Sequence, residues 1–492
     1  MKEFRSGLMA LCLSLAATWS WGQSEDDVFR YSYQESLGSA RTMGMGGAFG
    51  ALGADLSCLS GNPAGLGMYR RGDVGFTGGF ASQKAKISLA GQFRNSNKLG
   101  GIGTNLGIAL SYPSVNPDWP VSTLSVTHSS RANYNQTIEI DGIPFENSLL
   151  SSFLIQAQGY SANDLYDSHP FTASLAWDTY LLDPHPNEDP TSYISAIPVG
   201  GALTSKSIER TGQLSETSIG FGSGLSEILY VGISLGIVSV EFSEETRHRE
   251  IPQVDSLDLA EWTFRENLDI SGSGINVKLG LIAVPSPWLR LGVAYHSRSR
   301  LNLTDEYSTG IASSFKAGDQ YDVLSPFNRI EYTVFTPSRF IASAAFVLGK
   351  TGVVSADYEV VDYASGELRK SAFSPDNAYD YAVENESLRS VYGTSRMARV
   401  GAEFRIQKVW RLRLGAGMET SPYTSAIEVI SDTKRYQASF GFGHRSEKWY
   451  SAMTYRRSWT EQDLYLFDPD LVDPAHVFQT HGMVVVALGF RM

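Results

Sequence analysis

The chain has 492 residues, a formal net charge of -12 and only 19% charged residues, and it is rich in glycine (47), tyrosine (24) and phenylalanine (24). The negative charge and the lack of a Lys/Arg-rich run argue against nucleic acid as a partner. Many aromatic and glycine residues with few charges favour an all-β protein that is exported or that crosses a membrane as a barrel.

The N-terminus has the pattern of a secretory signal peptide. Two basic residues precede an apolar stretch over 8–17, and small residues stand on both sides of Trp21, at the key cleavage positions. We therefore predict a cleaved signal over 1–22. Cys58 is then the one cysteine of the mature chain, so we expect no internal disulfide and a small buried side chain at this position.

A glycine-dense segment follows, GSARTMGMGGAFGALGADLSCLSGNPAGLG (38–67). Its other residues are mostly small or apolar, unlike those of a flexible linker, and it lacks the strand, the helix and the third glycine of a dinucleotide loop. Glycine allows tight turns and close approach of the backbone to other atoms. In Asn62-Pro63-Ala64, proline fixes a turn and asparagine can hydrogen-bond its own backbone. The composition predicts a segment that packs closely against its surroundings.

From residue 73 onward, apolar and polar residues alternate in stretches of about ten, as in 288–297, 352–361 and 410–418. This period of two predicts β-strands with one apolar and one polar face. A soluble sandwich gives the same alternation. The polar faces here carry Gly, Ser and single charges, and aromatic residues bracket the strands, as in a barrel with a wet lumen. The last strand alternates up to Met492.

We therefore predict an all-β fold, a transmembrane antiparallel β-barrel over 73–492 with about 14 strands, an even number as such barrels require. The short VPSPW (284–288) is predicted to be a periplasmic turn. The long polar stretches Glu244–Glu266 and Thr304–Arg329 are predicted to be outer loops, and so is 178–205. No stretch after the signal reaches the length of about 18 apolar residues that a membrane helix needs.

One stretch of the barrel region, residues 148–167, does not alternate. Its apolar residues recur at helical spacing and include Leu149, Leu150, Phe153 and Leu154. Because it follows a strand-like stretch over 121–140, we place it in an outer loop. The simplest interpretation is a helix that packs its apolar face onto the barrel rim.

Signals for catalysis are weak in this sequence. GISLG (232–236) matches the G-x-S-x-G esterase pattern, but it lies within an alternating strand and not on a strand-to-helix turn. The eight histidines are scattered without metal-ligand spacing, and no His or Tyr pair is placed to ligate haem. We predict no enzyme activity, no metal site and no cofactor.

The glycine-dense segment resembles the N-terminal signature of the FadL-type long-chain fatty-acid transporters. In that family, a Ser-Ala-Arg-x-x-Gly-x-Gly-Gly-Ala stretch and an Asn-Pro-Ala motif belong to a plug inside the barrel. Four later segments resemble the family in the same order, namely 229–245, 285–308, 336–369 and 399–406. The resemblance implies a plug over 23–72 within the barrel over 73–492. The motif residues of this plug are Gly44, Gly46, Gly47, Asn62, Pro63 and Ala64.

The resemblance implies an outer-membrane channel of a Gram-negative bacterium for passive uptake of hydrophobic or amphipathic molecules such as long-chain fatty acids. Outer loops would capture the ligand, and plug movement or a gap between strands would release it. The implied partners are membrane lipid and a hydrophobic small molecule, and we expect a monomer. Some barrels of this type instead serve protein secretion as carriers or scaffolds. A continuous apolar path through the lumen favours transport, and a lumen filled by plug and charge pairs favours the scaffold.

Two further roles follow from the resemblance. The helix with Leu149, Leu150, Phe153 and Leu154 is a candidate for the hydrophobic loop that captures ligand, beside the rim-packing interpretation. Four charged residues are candidates for the lumen wall. Arg411 and Arg413 could attract a fatty-acid carboxylate, or pair with Asp357 or Glu359 and stiffen the wall, and we expect the pairing. These four residues are Arg411, Arg413, Asp357 and Glu359.

Overall fold

The structure is a computed structural model that describes residues 24–89, 92–116, 118–197, 201–372, 379–424, 433–469 and 471–492. The predicted signal peptide over 1–22 lies outside these residues. Within them, fourteen antiparallel strands form one closed sheet, because the first strand pairs with both the second and the last. The prediction of an all-β barrel of about 14 strands is confirmed.

The barrel strands are numbered 1 to 14 in chain order, and strands 3, 7, 8 and 9 consist of two or three segments that share the same neighbours. They comprise Asp73–Leu89, Gln92–Pro113, Val121–Asn133 with Gln136–Phe145, Ala202–Leu225, Leu229–Pro252, Leu259–Ser286, Leu289–His296 with Arg300–Phe315, Gln320–Leu324 with Asn328–Phe335 and Arg339–Leu348, Gly352–Asp362 with Glu367–Lys370, Thr394–Ile406, Trp410–Glu419, Arg435–Arg445, Trp449–Leu464 and Ala475–Arg491.

Shorter elements lie outside this sheet. The helices are Glu25–Ser32, Ala40–Gly44, Leu149–Ala157, Leu165–Ser168, Ala173–Asp178 and Ala382–Val391. The 3₁₀ turns are Leu56–Ser60, Pro63–Met68 and Tyr363–Ser365, and a two-stranded ribbon joins Leu182–Pro184 to Tyr193–Ser195. Among the described residues, no helix has the length and the apolar character needed to cross a membrane.

The alternation in the sequence corresponds to the two faces of the barrel wall. On strand 7, Leu291, Val293 and Tyr295 point outward and are 44%, 42% and 45% exposed. On strand 9, Asp357 and Glu359 point inward and are buried. The wall therefore has an apolar outer face and a polar inner face, as predicted, which is the arrangement of a barrel in a membrane.

The strands are longer on one side of the barrel than the sequence indicates. Strand 5 continues to Pro252, strand 6 begins at Leu259, and strand 7 continues to Phe315. The prediction of outer loops over Glu244–Glu266 and Thr304–Arg329 is therefore wrong. Near the loop end the outer face of these strands meets water, and the inner face mixes polar residues such as Glu250 with apolar ones such as Trp262. The alternation weakens, and an extended strand then resembles a loop in composition.

The two ends of the barrel differ in their connections. One end has tight turns of a few residues, for example 226–228, 287–288 and 349–351, and we call it the short-turn end. The other end, the loop end, carries longer connections such as 146–201 and 371–393. In bacterial outer-membrane barrels, short turns lie in the periplasm and long loops lie outside.

Residues 24–72, here called the inner segment, lie inside the barrel. They contact inward-facing atoms around most of the wall, from Thr104 of strand 2 to Thr454 of strand 13. The segment begins near the loop end, where Ser387 Oγ donates to Glu25 at 2.9 Å, and it reaches strand 1 at the short-turn end. It therefore runs through the lumen along the barrel axis.

An apolar cluster fills the lumen toward the loop end. The first helix of the inner segment contributes Val28 and Tyr31, which pack with Phe242 and Tyr332 of the wall. Phe29 stacks on Tyr392 with ring centroids 5.0 Å apart. These contacts bury the apolar face of a short helix that would be marginal in isolation.

Candidate functional site

The glycines of the predicted plug motif bring the inner segment against strands 11 to 13. Gly46 and Gly47 have φ angles of +64° and +80°, a region that side chains rarely adopt. A Cβ on Gly44 would lie 3.0 Å from Thr454 Oγ1. The Gly46 N–H donates to Ser439 Oγ at 3.1 Å, and the same hydroxyl donates to the Gly44 carbonyl at 3.1 Å. Larger residues would separate the segment from the wall.

The Asn62-Pro63-Ala64 motif joins the inner segment to itself and to the wall. Asn62 Oδ1 accepts from the Ala64 N–H at 3.1 Å and so caps the turn Pro63–Met68. Asn62 Nδ2 donates to the carbonyls of Gly50 at 2.7 Å and Leu281 of strand 6 at 3.2 Å. One amide therefore fixes two turns of the segment against the barrel.

Sequence reasoning missed the wall glycines that face this motif. A Cβ on Gly280 would lie 2.0 Å from Asn62 Oδ1, and one on Gly232 would lie 2.3 Å from Pro63. Gly232 is the first glycine of the GISLG stretch, and it allows the wall to pack against Pro63. The serine of the same stretch, Ser234, lies buried in the middle of the strand. Glycine on the polar face of an alternating strand was the signal that could have identified these positions.

Two buried carboxylates hold the inner segment from the opposite wall. Asp357 of strand 9 accepts the backbone N–H of Phe49 at 2.9 Å and of Gly50 at 3.0 Å. Glu403 of strand 10 accepts from Arg41 Nε at 3.0 Å. Hydrogen bonds that involve a charged partner are about twice as strong as neutral ones, so these contacts anchor the segment.

The predicted pairing of the strand 11 arginines with the strand 9 carboxylates is wrong. Strand 10 lies between strands 9 and 11, and its own charges take the partners on both sides. The register between strands determines these pairs, and the sequence does not contain it. The ion pairs are Glu359–Arg399 at 2.8 Å, Glu359–Arg339 at 2.9 Å, Asp357–Arg399 at 4.0 Å and Arg413–Glu403 at 2.7 Å.

Arg411 lies at the short-turn end, away from these pairs. Its guanidinium donates to the carbonyls of Lys408 at 3.3 Å and Trp410 at 2.9 Å. Arg411 therefore stabilises a turn, and the structure does not bring it to the other three candidate charges.

Strands 2 and 3 separate partway along the barrel. Their backbone pairing runs from the short-turn end and stops at Asn105 opposite Ser129. Beyond this point, among the described residues, strand 2 pairs with strand 1 and strand 3 pairs with strand 4, but not with each other. Residues 97–104 and 130–136 therefore border an opening in the wall, which we call the window.

Side chains close the upper edge of the window and cross it. Ser96 Oγ donates to the Thr137 carbonyl at 2.6 Å, which brings the two strands together again. Lys98 Nζ reaches across to Glu209 of strand 4 at 2.8 Å. Only side-chain contacts span this part of the wall, and exposed ion pairs of this kind contribute about 0–1 kcal/mol.

Glycines form the strand 2 edge of the window. A Cβ on Gly100, Gly101 or Gly103 would meet no atom within 4 Å. Gly100 lies opposite Ala81, which points inward, and Gly101 lies opposite Phe80, which points outward and is 65% exposed. The window is thus bordered by open space on both faces of the wall.

The inner segment covers the window from the lumen side. The Glu35 N–H donates to the carbonyl of Arg131 at 2.7 Å, and Thr104 Oγ1 donates to the carbonyl of Gly38 at 2.7 Å. The Arg131 guanidinium also donates to the side chain of Gln34. Residues 34–38 therefore separate the window from the interior.

A polar cavity of about 70 Å³ lies behind this cover, between the inner segment and strands 3 and 7 to 10. It is large enough for several water molecules. The centre of the lumen is therefore polar and ion-paired, in contrast to the apolar cluster nearer the loop end. The charged residues that line the cavity are Glu35, Arg131, Arg339, Asp357, Glu359 and Arg399.

Cys58 provides a test of the packing of the inner segment. The thiol is 3% exposed, and burial raises the pKa of Cys58 to about 12. At about pH 8 roughly one thiol in ten thousand would be ionised, so we expect maleimide to label the native protein very slowly and denatured protein at once. Labelling at the rate of a free cysteine in the native protein would contradict the buried position.

The helix Leu149–Ala157 packs onto the side of the barrel where strands 5 to 7 are longest. Leu150 and Phe153 are buried, and the Phe153 ring lies 5.2 Å from that of Phe264 on strand 6. Leu149 and Leu154 pack against the same cluster. The four residues proposed for ligand capture thus contact the barrel, as the rim-packing interpretation predicts. Their role toward a ligand stays a prediction.

Glu250 of strand 5 anchors this helix. Its carboxylate accepts from the Leu149 N–H at 2.8 Å and from Trp262 Nε1 at 3.0 Å, and it also bonds Ser148 Oγ. His248 Nε2 lies 2.8 Å away on the other side. In a catalytic triad the histidine lies between the serine and the carboxylate, whereas here the carboxylate lies between the serine and the histidine. We therefore interpret this buried group as an anchor for the helix.

Replacing Glu250 with alanine is expected to release the loop segment over 148–197. Several buried donors lose a charged acceptor, at a cost of about 2–3 kcal/mol, so limited proteolysis within the loop should become about thirtyfold faster or more. Glu245→Ala is the control, because Glu245 forms an exposed ion pair with Arg247. Equal cleavage rates for the two variants would show that Glu250 does not hold the loop.

The solved structures that resemble this barrel include three channel and transporter proteins. A FadL homologue of Pseudomonas aeruginosa superposes with a TM-score of 0.57 at 12% identity, over 93% of this chain and 99% of that one. The toluene transporter TodX of Pseudomonas putida gives 0.53 at 11% identity, over 94% and 99%. The monoaromatic hydrocarbon channel CymD gives 0.52 at 11% identity, over 93% and 97%. No protein-family model and no curated protein sequence matched the chain. At these identities the likeness establishes the fold.

Proposed function

We propose, from the FadL-type fold that this chain shares with channel and transporter structures, that it is a passive outer-membrane channel for hydrophobic or amphipathic molecules. The observation that carries the proposal is the window between strands 2 and 3. A molecule that partitions into lipid needs a route that avoids the aqueous periplasm, and an opening in the wall provides one.

The route starts at the loop end. A ligand arriving there meets the apolar cluster in which the helix Glu25–Ser32 occupies the lumen. An apolar ligand can replace the contacts of Val28, Phe29 and Tyr31, since apolar groups pack interchangeably when volume is conserved. No energy source is required, because the ligand moves down its own concentration gradient.

The exit step involves the residues that cover the window. Residues 34–38 make three hydrogen bonds at the window, and Arg399 and Arg456 of the far wall also donate to Ser36 at 3.0 Å and 3.3 Å. The following residues are anchored to strands 9 and 10 by the carboxylates of Asp357 and Glu403. We infer that the helix Glu25–Ser32 and the stretch 34–38 move, while the part of the inner segment, the proposed plug, that follows residue 38 stays in place. The ligand then passes sideways into the membrane.

The proposal is tested in Gram-negative cells that lack their own fatty-acid channel, because their outer leaflet blocks hydrophobic molecules. Cells that make this protein should take up labelled oleate or labelled toluene faster than cells with an empty vector, and the two ligands distinguish an amphipathic substrate from a hydrocarbon. If neither ligand enters faster although the barrel is folded in the outer membrane, transport is excluded.

A second candidate function is a scaffold or carrier for protein secretion. The polar cavity and the ion pairs at the centre of the lumen favour it, because they interrupt a continuous apolar path. The long strands 5 to 8 also provide surface at the loop end to which an exported protein could bind. A scaffold would show no uptake in the cell assay, and exported proteins would accumulate in the periplasm when the chain is removed.

A further inference from the structure

A basic cluster lies on the outer face of strands 13, 14 and 1, at the limit of the apolar band. On strand 1, the outward residues Phe76 and Phe80 are followed toward the loop end by Lys84 and Lys86. On strand 13, Met453 and Tyr455 are followed by Arg457. Cations at this height lie at the level of lipid headgroups, with their stems on the apolar surface.

Strand register brings these cations together. Arg457 of strand 13 lies opposite Gly482 of strand 14, and Gly482 lies opposite Ser82 of strand 1. Lys84 lies two residues beyond Ser82 on the same face. Two strand spacings of about 4.8 Å and a rise of two residues of about 3.3 Å each separate the two backbones, so Arg457 and Lys84 flank strand 14 at a distance of about 12 Å.

A notch lies between them, with Gly482 as its floor. The atom nearest to a Cβ on Gly482 would be the Tyr455 hydroxyl at 3.8 Å, so the space above this residue is open. Gly482 has no left-handed φ, and therefore backbone conformation does not require glycine here. The result is a shallow recess with an aromatic side wall and positive groups at its rim.

The charges at this rim are not neutralised by protein. Within the described residues, Lys84, Lys86 and Arg457 form no ion pair with a carboxylate within 4.0 Å, while the outward Arg247 and Arg249 of strand 5 do. Arg457 lies over the Trp459 ring at 5.6 Å and Lys86 over the Phe93 ring at 4.9 Å. Such contacts hold a cation at the interface and leave its charge available to an anion.

The nearby acidic groups have another partner. Glu461 and Asp463 of strand 13 lie on the same side of the barrel, and His476 contacts them at 3.6 Å and 3.1 Å. With three cations against these two carboxylates, the surface keeps a net positive charge in a chain whose overall charge is -12.

We propose that this notch binds the phosphate monoester of a phosphorylated lipid in the outer leaflet. The doubly charged phosphate lies over Gly482 between Arg457, Lys84 and Lys86, and the acyl chains lie along the apolar outer face below. A monoester is favoured over a phosphodiester, because three clustered cations match two negative charges better than one. The site stands on the outer face and does not depend on the proposed transport.

The test uses the full-length protein in neutral detergent micelles and counts bound lipid by native mass spectrometry. Diphosphoryl lipid A is the phosphomonoester probe, and phosphatidylglycerol, phosphatidylcholine and inorganic phosphate are the comparisons. Each interfacial cation adds about fivefold to anionic lipid binding, so the triple variant Lys84→Gln, Lys86→Gln, Arg457→Gln should lose about a hundredfold in affinity for lipid A. Gly482→Leu, which fills the notch and keeps every charge, should also lose binding.

The control is the double variant Arg247→Gln, Arg249→Gln, which removes two outward charges elsewhere and should bind lipid A like the unaltered protein. Unchanged binding by the triple variant or by Gly482→Leu would overturn the proposal. Tighter binding of phosphatidylglycerol than of lipid A, or binding of inorganic phosphate with equal affinity, would also overturn it, since the occupant would then be a phosphodiester or a free anion.

Discussion

Replacing Gly100 with tryptophan is expected to abolish uptake of hydrophobic molecules. Gly100 points into a small space at the window that is also lined by Lys98, Asn133 and Asn135. No atom lies within 4 Å of a Cβ there, so a larger side chain can leave the backbone without meeting the wall, and an indole would extend into the route between strands 2 and 3. Because a bulky aromatic ring blocks the opening itself, we expect uptake to fall about tenfold or more, toward the empty-vector level. Uptake of labelled oleate or toluene by cells measures it.

The matched control is the neighbouring residue. Gly101 has the same open surroundings but faces outward, opposite the exposed Phe80. Gly101→Trp therefore adds the same side chain to the lipid-facing surface and should leave uptake within about twofold, as barrels tolerate aromatic residues there. Equal uptake by both variants and the unaltered protein would show that ligand does not pass through the window.

Replacing Glu403 with alanine is expected to loosen the inner segment and destabilise the barrel. Glu403 accepts from Arg41 of the segment and from Arg413 of the wall, and the Arg413 side chain is only 7% exposed. Removing one partner of a buried ion pair leaves an uncompensated charge and costs about 3–5 kcal/mol. The midpoint of urea unfolding in micelles should fall, and maleimide should label Cys58 about tenfold faster or more.

The control for this change is an ion pair that solvent already screens. Arg249 and Glu261 are 47% and 44% exposed, so Glu261→Ala should cost less than about 1 kcal/mol and leave Cys58 protected. If Glu403→Ala behaved like Glu261→Ala in both measurements, the carboxylate would not anchor the segment.

Much of the fold follows from local pattern. Each strand carries a period of two in its own sequence, and this period assigns its residues to the two faces of the wall. It places Leu291, Val293 and Tyr295 on the lipid side and Asp357 on the lumen side. The chain length indicates about 14 strands but does not separate 12 from 16, because strand lengths differ widely, for example 10 residues in Trp410–Glu419 and 28 in Leu259–Ser286. The parts of strands 5 to 7 near the loop end were not predicted, because their outer face meets water and their inner face mixes polar and apolar residues, which weakens the alternation.

The candidate site depended on information between strands. Arg413 meets Glu403, and Asp357 meets Arg399, because strand 10 lies between strands 9 and 11 in a given register. No single segment contains that register. The window was equally hidden, because Gly100 and Gly103 resemble any glycines of a lumen face until the neighbouring strand is known to diverge. The Asn62 motif was identifiable only because its turn is local.

The path of the inner segment has a consequence for how the barrel is assembled in the membrane. The segment runs along the lumen and contacts the wall from strand 2 to strand 13, and the seam between the chain's first and last strands joins Asp73 to Arg491. Contacts this close are easier to form before that seam closes than after it. We therefore expect the sheet to close around the inner segment.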